Sequence, residues 1–386
     1  VLKSRHLAIL TFVVSFASVT GLLFTPALPS LGKDLGISEN MAEWTISIFL
    51  VGYSLGQLPY GPIANRFGRK PALYIGTTLA LLGSILAYAA NSFGVLAAAR
   101  FLQALGSAVG LKASFTMISD FHEGPQATES IALHSLAFGI TPGLAIAAGG
   151  FITASFGWKG CFLFLIFYSL LIGLLAFFLP ETARRLDPHA LQVKNVIQGY
   201  RSQFKNPKLI LYSLIVTSCT SIFYIFAALS PYIGMDRAGL SPAGFGLWNL
   251  VPAAGMVAGA LAARGVAKTS PFRRTIWLGI GLAGAGAFAM GVFFLIEISA
   301  PGMFLTQAAI QAGMSLVWSN ANAQALGASS DKSNASAVIQ FINIGGACVS
   351  SFLASFIPGA PPLLLPASTI ILLITMACLF KKIQET

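Results

Sequence analysis

The feature that most limits how this chain can fold is its succession of apolar runs, each close to the about 20 residues that a helix needs to cross a bilayer. Runs lie near 7–29, 42–63, 72–91, 95–118, 130–153 and 159–180, and again near 209–234, 243–263, 275–298, 301–326, 336–358 and 362–380. Only 9% of the 386 residues are charged while 56% are hydrophobic, too few charges to cover a water-soluble surface. The pattern predicts an all-α integral membrane protein with twelve transmembrane helices. Six belong to residues 1–180 and six to 209–386, with a polar connection at 181–208. The first run follows Lys3, Arg5 and His6 but is too long for a signal peptide. It holds Pro26 and Pro29 without a small-residue cleavage pattern, and so reads as a retained helix.

The formal charge of +11 first has to be tested as a topology signal. With both termini cytoplasmic, all but five of the 23 Lys and Arg fall on the cytoplasmic side. Lys33, Lys159 and Arg237 are left for the opposite face, and Arg100 and Lys112 for the spans. That sorting is what the positive-inside rule expects of an even number of spans. A nucleic-acid partner is excluded because no aromatic and basic patch accompanies the charge. The connection ETARRLDPHALQVKNVIQGYRSQFKNPK mixes Leu191, Val193, Val196 and Ile197 with cations, as a short amphipathic helix on the membrane surface would.

Cys161, Cys219, Cys348 and Cys378 lie apart in apolar stretches and read as packing residues. No metal-ligand spacing, cofactor motif or nucleophile pattern is present, which argues against a membrane-embedded enzyme. The absence of an appended output domain disfavours a sensor.

Residues 61–70 read GPIANRFGRK and residues 259–268 read GALAARGVAK, with Gly, Ala, Arg and Lys matching at 61/259, 64/262, 66/264 and 70/268. Each copy ends the second helix of its half, which points to duplicated bundles. Small residues followed by cations also end unrelated helices at a cytoplasmic face. GPIANRFGRK resembles the loop signature of the major facilitator superfamily. AAARFLQALGSA at 97–108 resembles its fourth-helix Arg motif, PALP at 26–29 the end of its first helix, and YSLGQLPYGP at 53–62 the bicyclomycin-resistance type of drug/proton antiporter.

The resemblance implies two pseudo-symmetric six-helix bundles, the major facilitator fold, in a bacterial inner membrane. It also implies a monomeric secondary transporter that moves a small molecule by alternating access, coupled to protons. In the loop motif, Arg66, Arg69 and Lys70 form a gating latch with helix carbonyls and Asp120. Asn65 departs from the family's usual Asp and brings a hydrogen bond without charge. GITPGLAIAAGGFI keeps Gly149 and Gly150 but has Ala145 and Ile146 where the antiporter pattern expects Gly-Pro. Leu22 stands where such antiporters commonly carry an acid on the first helix.

An ionisable group inside a span is a functional candidate by default. Arg100 and Lys112 lie twelve residues apart, about 18 Å along a helix, so they form a ladder and not one clamp. With His134 they favour a polar or anionic solute, such as a siderophore-like polycarboxylate. The alternative is multidrug efflux. The bland readings are a tether to helix carbonyls for Arg100, snorkelling for Lys112 and packing for His134. Tyr53, Gln57, Gln307, Gln311, Trp318, Gln340 and Asn343 are further candidates for substrate contact, Gln307 and Gln311 sharing a helix face. For these, interhelical hydrogen bonding is the rival reading. His134, Glu43 and Glu129 are the candidates for proton coupling.

Overall fold

The computed structural model describes residues 4–121, 124–183, 186–266, 271–357 and 362–385, without the side chains of residues 4, 121, 124–136, 138, 264 and 266. All regular structure among the described residues is helical. The first apolar run is broken where proline removes N–H donors: α1 (Ser4–Val14) and α2 (Phe16–Leu22) lead through a 3₁₀ turn at Thr25–Ala27 into α3 (Leu28–Leu35). Pro59 likewise separates α4 (Glu39–Gly56) from α5 (Tyr60–Phe67), and the last turn of α4 tightens to the bonds Gln57 N to Ser54 O and Leu58 N to Leu55 O. Next come α6 (Arg69–Tyr88), α7 (Phe93–Ser107) and α8 (Val109–Phe121).

The stretch α9 (Gly124–Phe177) is two arms of a hairpin. Gly157 has φ 67°, a left-handed conformation suited to glycine, and Cys161 Sγ approaches Gly149 O to 3.8 Å. In a straight helix those residues would lie about 18 Å apart. A surface helix, α10 (Val193–Phe204), precedes α11 (Pro207–Tyr232), which runs into a π turn at Ile233–Arg237. The chain continues through α12 (Pro242–Trp248), α13 (Leu250–Val266), α14 (Phe272–Ile296), α15 (Ala300–Gly327), α16 (Lys332–Ala354) and α17 (Leu364–Glu385). Polar caps start several of these, with Asn206, Ser241, Ser299 and Asp331 accepting from N–H groups of the first turn.

Nine helical segments among the described residues are long and apolar enough to cross a membrane. Gly139–Phe177 counts once among them although it reverses at Gly157. The α4–α5 segment and α15 fall outside, and both are rich in polar side chains: Glu39, Glu43 and Gln57 in one, Gln307, Gln311, Asn320 and Gln324 in the other. Large apolar side chains stand outward around the molecule, including Phe156 at 76% and Ile296 at 79% exposed, a surface suited to lipid.

Buried apolar side chains form two clusters. One runs from Leu10 to Leu179 and takes in Ala228, Tyr232, Ile344 and Cys348. The other runs from Leu209 to Ile383 and takes in Leu22 and Ile146. The start of α1, the end of α17, α10 and the α5–α6 turn lie at one end, where Tyr200 OH donates to Leu58 O at 2.7 Å and Asn206 Nδ2 to Ala328 O at 2.8 Å. The opposite, distal end holds the α3–α4 turn, Gly157 and the end of α16.

Candidate functional site

The two clusters meet along a seam. On one side α4 packs against α16. Ser54 Oγ donates to Phe341 O at 3.0 Å, Cys348 Sγ to Ser47 O at 3.3 Å, and Trp44 Nε1 to Ser355 Oγ at 2.9 Å. The Trp44 ring lies 5.6 Å from Phe352 and 6.1 Å from Phe356. On the other side α9 meets α12 and α13 through small residues. A methyl on Gly150 would strike Pro242 O, and one on Gly143 would strike Ala253 Cβ. Thus Gly150, which the antiporter pattern keeps, and Gly143, displaced with Pro142 from the expected Gly-Pro, both give close helix packing. The distal end is shut.

At the terminal end a cavity of ≈ 160 Å³ lies between α5, α8, α10 and the start of α16, its wall including Gly61, Asn65, Lys112, His189, Asn195, Tyr200 and Asn334. Lys112 on α8 reaches it over Gly61, where a Cβ would collide with Nζ. Farther in, Gln311, Asn249, Phe223 and Pro142 border a space of ≈ 20 Å³, room for about one water.

Arg100 on α7 is fully buried between the rings of Phe24 and Phe49, 4.2 Å and 4.4 Å from their centroids. Nη1 donates to Thr20 O at 2.9 Å and Gln103 Oε1 at 2.7 Å, and Nη2 to Gly21 O at 3.0 Å. Gln103 Nε2 continues to Ser84 Oγ at 2.8 Å. The break after α2 leaves its last carbonyls to be satisfied from outside, and Arg100 does so. Its position is that of a tether between α7 and the first helix. Of its three nitrogens, Nε alone lacks a partner among the described residues.

Tyr53 and Gln57 are buried on α4, and Gln307, Gln311 and Ser315 form a buried face of α15. Trp318 is half-buried against the second cluster. Asn343 Nδ2 donates to Gln340 Oε1 at 3.2 Å. Gln57 Nε2, Gln307 Nε2 and Asn343 Oδ1 have no partner among the described residues. Buried polar atoms of that kind are costly unless something else satisfies them. Glu43 is buried near the distal end. The side chains of His134, Glu129 and Arg264, and all of Lys268, lie outside the described residues.

At the terminal end Arg69 Nε meets Asp120 Oδ2 at 3.1 Å, while Nη1 donates to Ala64 O and Asn65 Oδ1, each at 2.9 Å. Lys70 Nζ donates to Phe177 O at 3.1 Å. Arg66 stands apart, over the ring of Phe67 at 5.8 Å. Thr182 Oγ1 donates to Asp120 Oδ2 at 2.6 Å. Sequence reasoning missed Glu181. Its carboxylate accepts from the backbone N–H groups of Arg69, Lys70, Thr182 and Ala183, capping α6 from another element. Burial pushes this carboxyl up, but those four donors outweigh it and hold it below the usual range. An acid directly after the helix-ending Pro180 was the available signal.

Comparison with known proteins gives this arrangement a family. The chain is 27% identical over 236 residues to Multidrug resistance protein D of Escherichia coli (strain K12), covering 61% of this chain and 59% of the relative. It is 27% identical over 238 residues to a Bicyclomycin resistance protein homolog of Haemophilus influenzae, covering 60% of each. The chain thus spans about three-fifths of these relatives' lengths. A partially occluded, inward-open structure of the E. coli xylose transporter XylE superposes with TM-score 0.76 over 97% of both chains at 13% identity, a likeness of fold. The model of the Major Facilitator Superfamily, transporters and not enzymes, matches residues 7–380, and the chain belongs to that family.

Proposed function

We propose that the chain is a secondary active transporter that moves small, drug-type organic molecules out of a bacterial cell across the inner membrane in exchange for protons. Halves 1–180 and 209–386 rock about the seam, joined by the connection 181–208. The chain crosses the membrane twelve times, through the nine segments above together with the second arm of α9, the α4–α5 segment and α15. Both termini are cytoplasmic, so the end sealed by Trp44 is the outer one; the sorting of Lys and Arg supports this. The protein works as a monomer.

One observation carries the reading. In a chain of this family, the seam is shut at one end by Trp44, Phe352 and Phe356, while the other end holds a polar cavity of ≈ 160 Å³. Alternating access needs that asymmetry. Tyr53, Gln57, Gln307, Gln311, Trp318, Gln340 and Asn343, with His134, are the proposed solute contacts between the two ends. Asn65, Arg69, Lys70 and Asp120 form the inner latch, to which Glu181 is added, while Arg66, expected in it, lies over Phe67 instead. His134 and Glu129 remain candidates for carrying protons.

Similarity to a multidrug resistance protein and a bicyclomycin resistance protein homolog favours a drug-type solute over an anionic metabolite. So does Arg100, whose guanidinium is engaged by carbonyls and rings. The second reading, a polar or anionic metabolite, draws on Lys112 at the cavity wall. Proteoliposomes with an imposed pH gradient separate the two. Accumulation of a cationic or neutral dye, abolished by a protonophore, is expected. Accumulation of an organic anion that Lys112→Gln removes would favour the second reading, and dye flux indifferent to the gradient would refute proton exchange.

A further inference from the structure

Glu43 lies one turn into α4, on the seam and next to Trp44, the residue that shuts the outer end. It is 2% exposed, and its Oε1 has no hydrogen-bond partner among the described residues. The one salt bridge among those residues is Arg69–Asp120, at the other end of the molecule. A carboxylate so placed would hold Oε1 away from water with neither a donor nor a cation beside it, whereas a neutral carboxylic acid fits.

The surroundings push the same way. On its own helix the titratable neighbour is Glu39, another acid. From α11 comes Tyr232, which feels both glutamates and whose hydroxyl donates to Glu39 O at 3.4 Å across the seam. The π turn after α11 carries Asp236 and Arg237, both exposed. On α3, Lys33 and Asp34 are exposed, and Asp34 accepts from Trp158 Nε1 at 2.9 Å. The α7 cation is Arg100, turned to the carbonyls of α2. The facing part of α16 brings Cys348, bonded to Ser47 O.

We propose that Glu43 is a proton-binding site built into the outer seam, so that closing the seam takes up one proton. When the seam parts, water reaches the carboxyl, its O–H bond breaks, the proton passes to that water and the carboxylate stays hydrated. On closing, a proton from the outer aqueous phase returns to the carboxylate before Trp44 packs against α16. Acid outside therefore drives the outer end shut. The inference rests on the alternating-access reading above.

The test uses the full chain in lipid nanodiscs, with exposed Cys378 and the seam residue Cys348 replaced by serine and spin labels at Gly94→Cys and Leu363→Cys, one on each half at the outer end. The expected result is a longer-distance population that grows as pH rises with a one-proton slope. Glu43→Gln loses this dependence and stays closed, and Glu43→Asp keeps it. A Glu43→Gln protein that titrates like its parent, or a parent whose distances ignore pH, overturns the proposal. Should Glu43→Gln fail to fold, infrared difference spectra decide. The parent should lose a protonated-carboxyl band as pH rises, at a frequency shifted in Glu43→Asp, and an identical band in both proteins overturns the proposal. Gradient-driven dye efflux is measured in parallel. Absent efflux with the Glu43 titration intact defeats the transport reading alone; intact efflux with an unchanged titration in Glu43→Gln defeats the proton site alone.

Discussion

Arg100 shows how far one residue can be understood from its neighbours in sequence. A cation inside an apolar run is conspicuous, so its importance was legible; its direction was not. That depends on where the first helix breaks, and the break at Thr25–Ala27 is what leaves the carbonyls of Thr20 and Gly21 within reach of the guanidinium. Removing the side chain would strand those carbonyls and Gln103 Oε1 in the core, at about 1–3 kcal/mol for each unsatisfied group. Arg100→Ala is therefore expected to lower the melting temperature of the detergent-purified protein markedly. Arg100→Lys should recover little, because a point charge cannot span two carbonyls and an amide while stacked between Phe24 and Phe49. If solute affinity of the folded fraction instead collapses while stability holds, Arg100 is a ligand and not a tether.

Among the elements, the turn between α5 and α6 is the most instructive. GPIANRFGRK and the acid at the end of α8 were readable as partners, and Arg69 does pair with Asp120. Glu181 was not readable because its partners are backbone N–H groups, which carry no side-chain signature, and because it opens a stretch assigned to the connection. Its carboxyl is held below the ordinary value of 4.5, so the stability it contributes is present above that value and lost as pH falls through the lower folded one. Melting curves of the parent and Glu181→Gln should thus differ at neutral pH and converge in acid. Asn65 offers the opposite change. Its Oδ1 already accepts from Arg69 Nη1 at 2.9 Å, so Asn65→Asp adds charge without moving an atom. At this exposed position the gain should be about 0.2–1 kcal/mol. It would appear as a modest rise in melting temperature, shrinking with added salt.

Across the whole molecule, apolar spacing and the sorting of cations told which segments are helical and which end gathers charge, since both follow from lipid as solvent. They could not tell which end of the seam is closed, because that is a balance between two packings of the same surfaces. Even the number of spans was blurred where polar residues serve the seam, as in α15. The closed end depends on few contacts, with Trp44 at their centre. Its rings with Phe352 and Phe356 contribute about 0.5–1.5 kcal/mol each. The bond to Ser355 Oγ adds about 0.5–1.5 kcal/mol. Trp44→Ala should then favour the outward-open arrangement by about 1.5–4.5 kcal/mol, roughly 10- to 2,000-fold in population. Cys348 reports the change without an engineered probe. It is buried beneath that seal with its thiol on Ser47 O, while Cys378 is exposed on α17 toward the other end. A membrane-impermeant maleimide added outside intact cells should label Cys348 much faster in Trp44→Ala than in the parent, and Cys378 in neither. Equal rates for Cys348 would mean that the ring cluster fills space at the outer end without deciding which way the seam opens.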